Sequence, residues 1–372
     1  MKKATSLLLG LLLCLAALAA SGGSQGDPLI SLSYLTGAFA QSLEDALDAR
    51  LDTSDEAVRA AIGREPPSPP ADSFPPADSS HLADSSHLAE HTLKEGDVLS
   101  GSTGLVVVPL GGGIRLDVSG GAVVDVTAGE EALPGHLLTA NHRYIVAENA
   151  QAGFTVTSAA AVLSYEGGGT LTRSPSPDYY SAACALREAG LFRGSGSGVG
   201  EGFDLHLAPT RGESLVMFLR LLGEESDALA SNGAHPFTDV PGWLSPYVAW
   251  AWQKGYTSGV AADRFGSGQP VTAVEYEEFL LRALGYSVAG VDDYRTSLER
   301  ALAFGALTQG EYDMLRESVF LRAHTAYVSW YSLDMPLNGG GETLAQRLMS
   351  ANRITEEQLE AARAQINFSR IS

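Results

Sequence analysis

The sequence is poor in cysteine and in positive charge. It holds 2 cysteines in 372 residues, and 24 basic side chains face 44 acidic ones. Only Cys184 lies outside the N-terminal apolar segment, so an internal disulfide and a cysteine-based metal cluster are excluded. The formal charge of −20 argues against nucleic acid and anionic membrane as partners of the whole molecule, because both would be repelled.

Long apolar runs are also missing. The longest, over residues 7–20, is shorter than the ~20 residues that a membrane-spanning helix needs. It follows Lys2 and Lys3 and precedes small residues, an order typical of a secretory signal peptide. We expect cleavage after Ala20, which lowers the basic count from 24 to 22 and brings the charge to −22. The sequence predicts a signal peptide over 1–20 and an exported protein with no membrane segment after cleavage.

The motifs of common catalytic and cofactor sites do not occur. H-E-x-x-H and C-x-x-C are absent, and the glycine-rich stretch 194–202 does not give G-x-G-x-x-G. His81 and His87 come from a duplicated ADSSHL unit, which explains their spacing without a metal. We therefore expect no enzyme, no cofactor and no metal site. A glycosidase with two distant carboxylates in a β-rich block stays open as an alternative.

Changes in residue pattern divide the rest of the chain. Residues 21–62 predict a helical segment, and residues 63–91 form a linker rich in proline, serine and aspartate. Short β-branched runs between glycine-rich turns over 92–172 predict a small all-β domain, a sandwich or a barrel. From residue 174 onward the spacing is helical. The expected fold class is therefore multidomain, with the all-β domain followed by an all-α bundle of three repeats.

The helical part consists of an internal repeat. Its blocks align on Gly190, Gly255 and Gly305, which predicts three helix–loop–helix units. We place these units and a helical tail at 174–232, 233–288, 289–338 and 339–372. The tail begins a helix at Thr355.

The helix starts are marked by capping signals. Thr210 and Thr272 each precede a glutamate by three residues, the spacing of a capping box. The third unit has Leu321 at this position, so its helix start should be the weakest of the three. In the second unit we expect Ser245 to cap the first helix, with Pro246 at its first position.

Arg211 breaks a local rule, since it follows the cap Thr210 and lies beside the positive end of a helix dipole. A cation there costs a few tenths of a kcal/mol. Two explanations stay open at this point. The side chain bends away into solvent, or the arginine and the helix N–H groups together form an anion site.

The second unit resembles an S-layer homology domain over PFTDVPGWLSPYVAWAWQKGYTSGVAADRFGSGQPVTAVEYEEFLLRALGY. The positions that fit the family pattern are Phe237, Asp239, Val240, Trp243, Tyr247, Gly255, Gly259, Phe265, Thr272 and Glu275. In the first unit, Arg211 of APTRGESLVMFLRLLG matches the family's Thr-Arg-x-Glu signature. The resemblance covers residues 176–338 and is weakest in the third unit, while Ala273 replaces the second signature arginine.

The resemblance implies a three-pronged helical unit that binds secondary polysaccharide of a Gram-positive-type cell wall non-covalently, often through a pyruvate-ketal sugar. It implies that Arg211 meets the carboxylate of the ligand and that Asp239 and Trp243 line the same groove. Arg322 would mark a second groove in the third unit. Among the clustered tryptophans, we expect Trp243 to stack on sugar, while Trp250 and Trp252 fill the bundle core.

Two functions follow from these patterns. The first is a non-catalytic protein, secreted to the cell surface and anchored to the wall polysaccharide through its repeats. The alternative is a structural protein of the envelope whose degenerate repeats mediate protein–protein contacts, self-association among them, and no longer bind sugar.

Overall fold

The structure is a computed structural model that describes residues 89–194, 199–287 and 294–372. All of the described residues belong to one compact unit. Within them a β-region is followed by a helical region, as the sequence predicts. No helix of the described part is both long and apolar enough to cross a membrane.

The N-terminal predictions fall largely outside the described residues. The signal peptide (1–20), the helical segment (21–62) and most of the linker (63–91) lie there. The first strand begins at Glu90, so the last two residues of the predicted linker belong to the β-region instead. Leu93 alone is buried in this strand, so no regular apolar alternation separates these two residues from the polar linker.

In the described part of the chain, ten strands form the β-region: β1 Glu90–Lys94, β2 Val98–Ser102, β3 Val106–Gly111, β4 Ile114–Ser119, β5 Val123–Asp125, β6 Glu130–Ala132, β7 Tyr144–Val146, β8 Gln151–Val156, β9 Ala160–Glu166 and β10 Gly169–Thr172. They make two antiparallel sheets, ordered β1-β9-β3-β7-β5-β6 and β10-β2-β8-β4. In β4, Ile114 and Leu116 are buried while Arg115 and Asp117 are exposed, so one face of the sheet turns inward. Residues of both sheets share one apolar core, which identifies a sandwich.

Ten α-helices follow within the described residues: α1 Tyr179–Glu188, α2 Arg211–Leu221, α3 Glu225–Ala230, α4 Ser245–Gln253, α5 Ala273–Ala283, α6 Ser297–Ala303, α7 Gln309–Glu317, α8 Arg322–Ser332, α9 Leu344–Ser350 and α10 Glu356–Ala364. The helices α1, α4 and α6 each end at a glycine with positive φ, namely Gly190, Gly255 and Gly305. Each block thus contains the first helix with a glycine at its end on which the alignment was based. The capping boxes predicted at Thr210, Thr272 and Thr355 are all present.

The three units pack in a cycle. The second helices α2, α5 and α8 meet at the centre. The ring centres of Phe218 in α2 and Phe279 in α5 lie 5.5 Å apart, and the hydroxyls of Tyr276 in α5 and Ser329 in α8 lie 2.7 Å apart. Each first helix packs on the second helix of another unit, with α4 on α2, α6 on α5, and α1 on α8. Because α1 belongs to the first unit and α8 to the third, the last of these contacts closes the ring.

Three local predictions require correction. Ser245 does not cap α4; Leu244 holds that position without a side-chain cap, and the Ser245 hydroxyl pairs with His235 Nε2 at 3.1 Å. Trp252 does not fill the core, since it is 39 % exposed and its ring makes a T-shaped contact with Phe237, with 5.3 Å between the ring centres. The third unit is more than a helix–loop–helix, since it contains the additional helix α7 with a capping box at Thr308.

The β-region and the helical region are in direct contact. Lys94 Nζ donates to the carbonyl of Ser176 at 2.6 Å, and the amide of Gly200 donates to Glu90 Oε2 at 2.9 Å. Both bonds join β1 to parts of the first helical unit, so the first strand of the sandwich positions the start of the bundle.

Candidate functional site

The start of α2 is joined to a loop of the second unit. Thr210 opens the helix with its capping box, and the next two amides pair outside the helix. The amide of Arg211 donates to the carbonyl of Gln269 at 2.8 Å, and that of Gly212 donates to the carbonyl of Ser267 at 3.0 Å. These are helix-terminal donors that have no partner within a helix. They fix Arg211 at the boundary between the first and second units.

Gly212 permits the close approach of the segment that carries Trp243. A Cβ at Gly212 would lie 2.7 Å from Leu244 Cδ2, closer than real contacts allow. Leu244 is fully buried there, while its neighbour Trp243 is 60 % exposed. The indole of Trp243 is thus held at the surface next to the start of α2, where a flat ligand can reach it.

Asp239 anchors the same loop. Its two carboxylate oxygens accept from the amides of Phe265 and Gly266, each at 2.7 Å, and its carbonyl accepts from the Ser267 hydroxyl. Burial works to raise the pKa of Asp239, but the two backbone donors outweigh it and hold the pKa below its usual range. Asp239 therefore positions the loop on which Arg211 depends.

The guanidinium of Arg211 points inward. Its Nη1 lies 2.9 Å from Glu275 Oε1, and its Cζ lies 5.2 Å and 5.0 Å from the ring centres of Phe265 and Phe279. Arg211 is only 7 % exposed, so the explanation in which it bends into solvent is wrong. The unfavourable position beside the helix dipole is offset by Glu275 and by two aromatic faces.

A cavity of about 190 Å³ opens beside this ion pair. Its lining comes from both units: Arg211, Tyr256, Ser258, Gly259, Val260, Glu275, Glu278, Phe279 and Arg282. This volume is below the roughly 300–1,000 Å³ of pockets for drug-sized ligands. The cavity therefore suits one small group of a larger ligand, and most of that ligand would lie on the surface.

The cavity wall carries charges of both signs. Glu278 accepts from Arg282 Nε at 2.7 Å and also pairs with Arg300. Burial works to raise the pKa of Glu278, but hydrogen bonds from Ser287 and Ser297 and the pairing with Arg282 lower it overall. Two arginines and two carboxylates thus face the cavity, a set that suits polar ligands rich in hydroxyl and carboxyl groups.

The predicted site residues are only partly brought together. Arg211 and Asp239 act on one loop, and Trp243 lies beside the same helix start. Of the three, Arg211 alone belongs to the lining of the cavity among the described residues. Asp239 is outside the lining of this cavity, and its carboxylate is engaged by the loop amides.

Arg322 occupies an equivalent place at the start of α8. Its amide donates to the carbonyl of Leu207 at 2.9 Å, the amide of Ala323 donates to the carbonyl of Leu205 at 3.1 Å, and Arg322 Nε donates to the carbonyl of Phe203 at 3.0 Å. Burial lowers the pKa of the Arg322 guanidinium. Arg322 thus joins the third unit to the first, as Arg211 joins the first to the second.

Sequence patterns missed part of the cavity wall. Glu275 was identified only as a capping residue, although its second oxygen binds Arg211. Glu278 and Arg282 gave no binding signal, since four residues apart on one helix they look like an ordinary surface pair. The one sequence signal for Arg282 is that it matches Arg220, which holds the same position in α2.

Compared with protein-family models and with curated proteins, the chain matches none of them. The candidate site is therefore defined by its geometry alone.

Proposed function

We propose that the helical region is an S-layer homology unit that anchors an exported, non-catalytic protein to a secondary cell-wall polysaccharide. The binding site is the cavity beside Arg211, with Trp243 as a sugar-stacking surface at its edge. The β-sandwich is then carried at the cell surface of a Gram-positive-type cell, as cargo or as a spacer.

The observation that carries this proposal is a signature arginine in the wall of an open cavity between two repeats. Arg211 is fixed by both of its neighbours, the loop at Ser267–Gln269 and the carboxylate of Glu275. A site whose charged group is already held in place loses little conformational entropy on binding. The cyclic packing of three units supports the same proposal, because it creates a boundary of this kind between repeats.

Charge sets a condition on the ligand. A chain with a formal charge of −20 repels acidic polymers at long range, so a local cation has to hold an anionic group. A ligand carboxylate that reaches Arg211 must share it with Glu275. Arginine allows this, because the guanidinium carries five N–H donors in a fixed plane.

A second function is favoured by the surface around the site. Trp243, Trp252 and Val260 are exposed apolar side chains of one repeat, and such side chains are common in protein interfaces. Arg211 could then serve only to hold two repeats together. In this second function the repeats assemble with other envelope proteins and do not bind sugar.

Binding of the full mature chain to purified cell walls tests the proposal. The Arg211→Ala variant should lose most binding, and Arg211→Lys should recover only part of it, since lysine lacks the planar fork. Arg143→Ala removes the same charge from an exposed site of the sandwich and serves as the control. Walls stripped of secondary polysaccharide should bind none of these proteins. Unchanged binding by a folded Arg211→Ala variant, or undiminished binding to stripped walls, would favour the assembly function.

A further inference from the structure

Residues 366–372 lie across the third unit and are held there by an ion pair between the partly buried Arg370 and the buried Glu311. Arg370 Nε and Nη2 donate to the two oxygens of Glu311 at 2.7 Å and 2.8 Å, and Nη2 also donates to the carbonyl of Ala306 at 2.6 Å. The guanidinium lies over the ring of Tyr331, 4.7 Å from its centre. A bidentate contact on a buried carboxylate with an aromatic face is a specific mode of arginine recognition.

The backbone of this segment is recognised too. The amide of Ile371 donates to the Tyr327 hydroxyl at 2.9 Å, and the Thr308 hydroxyl donates to the carbonyl of Ile371 at 2.6 Å. At Gly310 a Cβ would overlap the carbonyl oxygen of Ser372. The third unit thus binds the segment as it would bind an extended peptide, through main-chain bonds and one arginine pocket.

The place that the segment fills corresponds to the cavity of the second unit. Tyr327 and Tyr331 take the sixth and tenth positions of α8, as Glu278 and Arg282 do in α5. Thr308 follows Gly305 by the same number of residues as Ser258 follows Gly255. The cavity of the second unit measures about 190 Å³, whereas the space beside Arg370 measures only about 10 Å³. That smaller space shares part of the corresponding lining, namely Ala306, Val328 and Tyr331.

The charges of the filled groove match a single cation. Glu277 also borders the remaining space, and burial together with the nearby Glu311 raises its pKa to about 8. Glu277 is therefore mostly protonated at neutral pH, which leaves the charge of Glu311 to balance that of Arg370. A neutral peptide would leave Glu311 buried without its cation, at a large cost.

We propose that residues 368–372 are an internal ligand, and that the groove of the third unit is a binding site for an extended peptide that contains arginine. The site does not depend on polysaccharide binding by the second unit. If the second unit also binds polysaccharide, the groove of the third unit cannot do the same while residues 368–372 fill it.

A synthetic peptide of residues 366–372 tests this with a chain shortened after Gln365. The shortened chain should melt earlier than the full chain, and the peptide should bind it one-to-one and raise its melting temperature. A peptide with Arg370→Gln should bind at least tenfold more weakly, and one with Arg370→Lys should lie between. The full chain should not bind the peptide, because its groove is filled. Equal binding of the native and Arg370→Gln peptides, or equal binding by full and shortened chains, contradicts the proposal.

Hydrogen exchange in the full chain covers the case in which the shortened chain does not fold. In the full-length Arg370→Gln variant, the Ile371 amide should exchange at least tenfold faster, while the amides of α2 and α5 keep their protection. Unchanged exchange at Ile371 would show that the arginine does not hold the segment. Loss of protection throughout the helices would show that the segment is part of the core and not a ligand.

Discussion

Arg211 Nη1 and Glu275 Oε1 lie 2.9 Å apart across the boundary between the first and second repeats. The other oxygen of Glu275 accepts from the amide of Thr272 at 2.9 Å, as part of the capping box of α5. One carboxylate thus starts a helix in its own repeat and fixes the arginine of the neighbouring repeat. Any change at Glu275 should therefore affect both the start of α5 and the position of Arg211.

The Glu275→Gln variant separates the two roles. Glutamine still serves in a capping box, so the start of α5 should persist. Loss of the charge removes the internal competitor for Arg211, and an acidic wall polysaccharide should bind about fivefold to tenfold more tightly, which is about 1 kcal/mol. Isothermal titration of the full chain measures this. Glu213→Gln makes the same change in the capping box of α2, and it should leave affinity unaltered. Equal affinity of wild type and Glu275→Gln would show that the ligand does not reach Arg211.

The tryptophans should differ in their effect on stability. Trp243→Ala should change the free energy of unfolding by less than about 1 kcal/mol, because most of its surface stays in water. Trp252→Ala loses an edge contact with Phe237, which contributes about 0.5–1.5 kcal/mol beyond the buried area. Trp330 is buried in the core, so Trp330→Ala should lower the free energy of unfolding by ~3–5 kcal/mol and serves as the reference for a buried tryptophan. Urea unfolding measures all three, and a loss at Trp243 as large as at Trp330 would rule out a surface role.

His324 should make the third repeat sensitive to acid. Burial lowers its pKa from an ordinary 6.5 to about 4, and its Nδ1 accepts from the amide of Leu321 at 3.0 Å. Between pH 6.5 and 4 the unfolded chain binds a proton at this site that the folded chain does not. The contribution of neutral His324 to the free energy of unfolding is therefore complete above pH 6.5. It is lost as the pH falls from 6.5 to 4, by about 3 kcal/mol in all.

Unfolding in urea at pH 7 and pH 4.5 checks this prediction against a His324→Gln variant. Glutamine can also accept from the Leu321 amide but does not titrate. All other titratable groups are the same in both proteins. The difference between the two proteins in how much free energy of unfolding they lose from pH 7 to pH 4.5 is therefore due to His324. Equal losses would mean that the imidazole is charged in the folded protein.

Ala273→Arg should add a cation at the position of α5 that corresponds to Arg211 in α2 and to Arg322 in α8. Ala273 lines an open groove of about 440 Å³, which leaves room for a longer side chain. The residue that corresponds to Glu275 in the third repeat is His324, which is neutral, so the new arginine lacks a matching internal carboxylate there. Binding of the acidic polysaccharide should increase, at a cost of a few tenths of a kcal/mol at the helix start. Ala273→Met supplies the length without the charge and should not increase binding.

Features with a local cause could be predicted from the sequence. The strands of the sandwich, the glycine-marked helix ends and the capping boxes at Thr210 and Thr272 each depend on neighbouring residues, and the structure contains them. The exposure of Trp252 depends on how α4 rotates against α2, which no spacing along the chain specifies. The pairing of Glu275 with Arg211 joins residues of different repeats. It follows only from the way the repeats pack.

The contact of α1 with α8 has a consequence for how such a bundle can be altered. In a linear array of repeats, each unit touches its neighbours and the terminal units can be removed. A ring of three has no terminal member, so deleting one unit would uncover apolar surface on both of the others. The departure of the third repeat from the capping pattern of the other two is then compatible with its continued need, because α8 still closes the ring that holds the cavity beside Arg211.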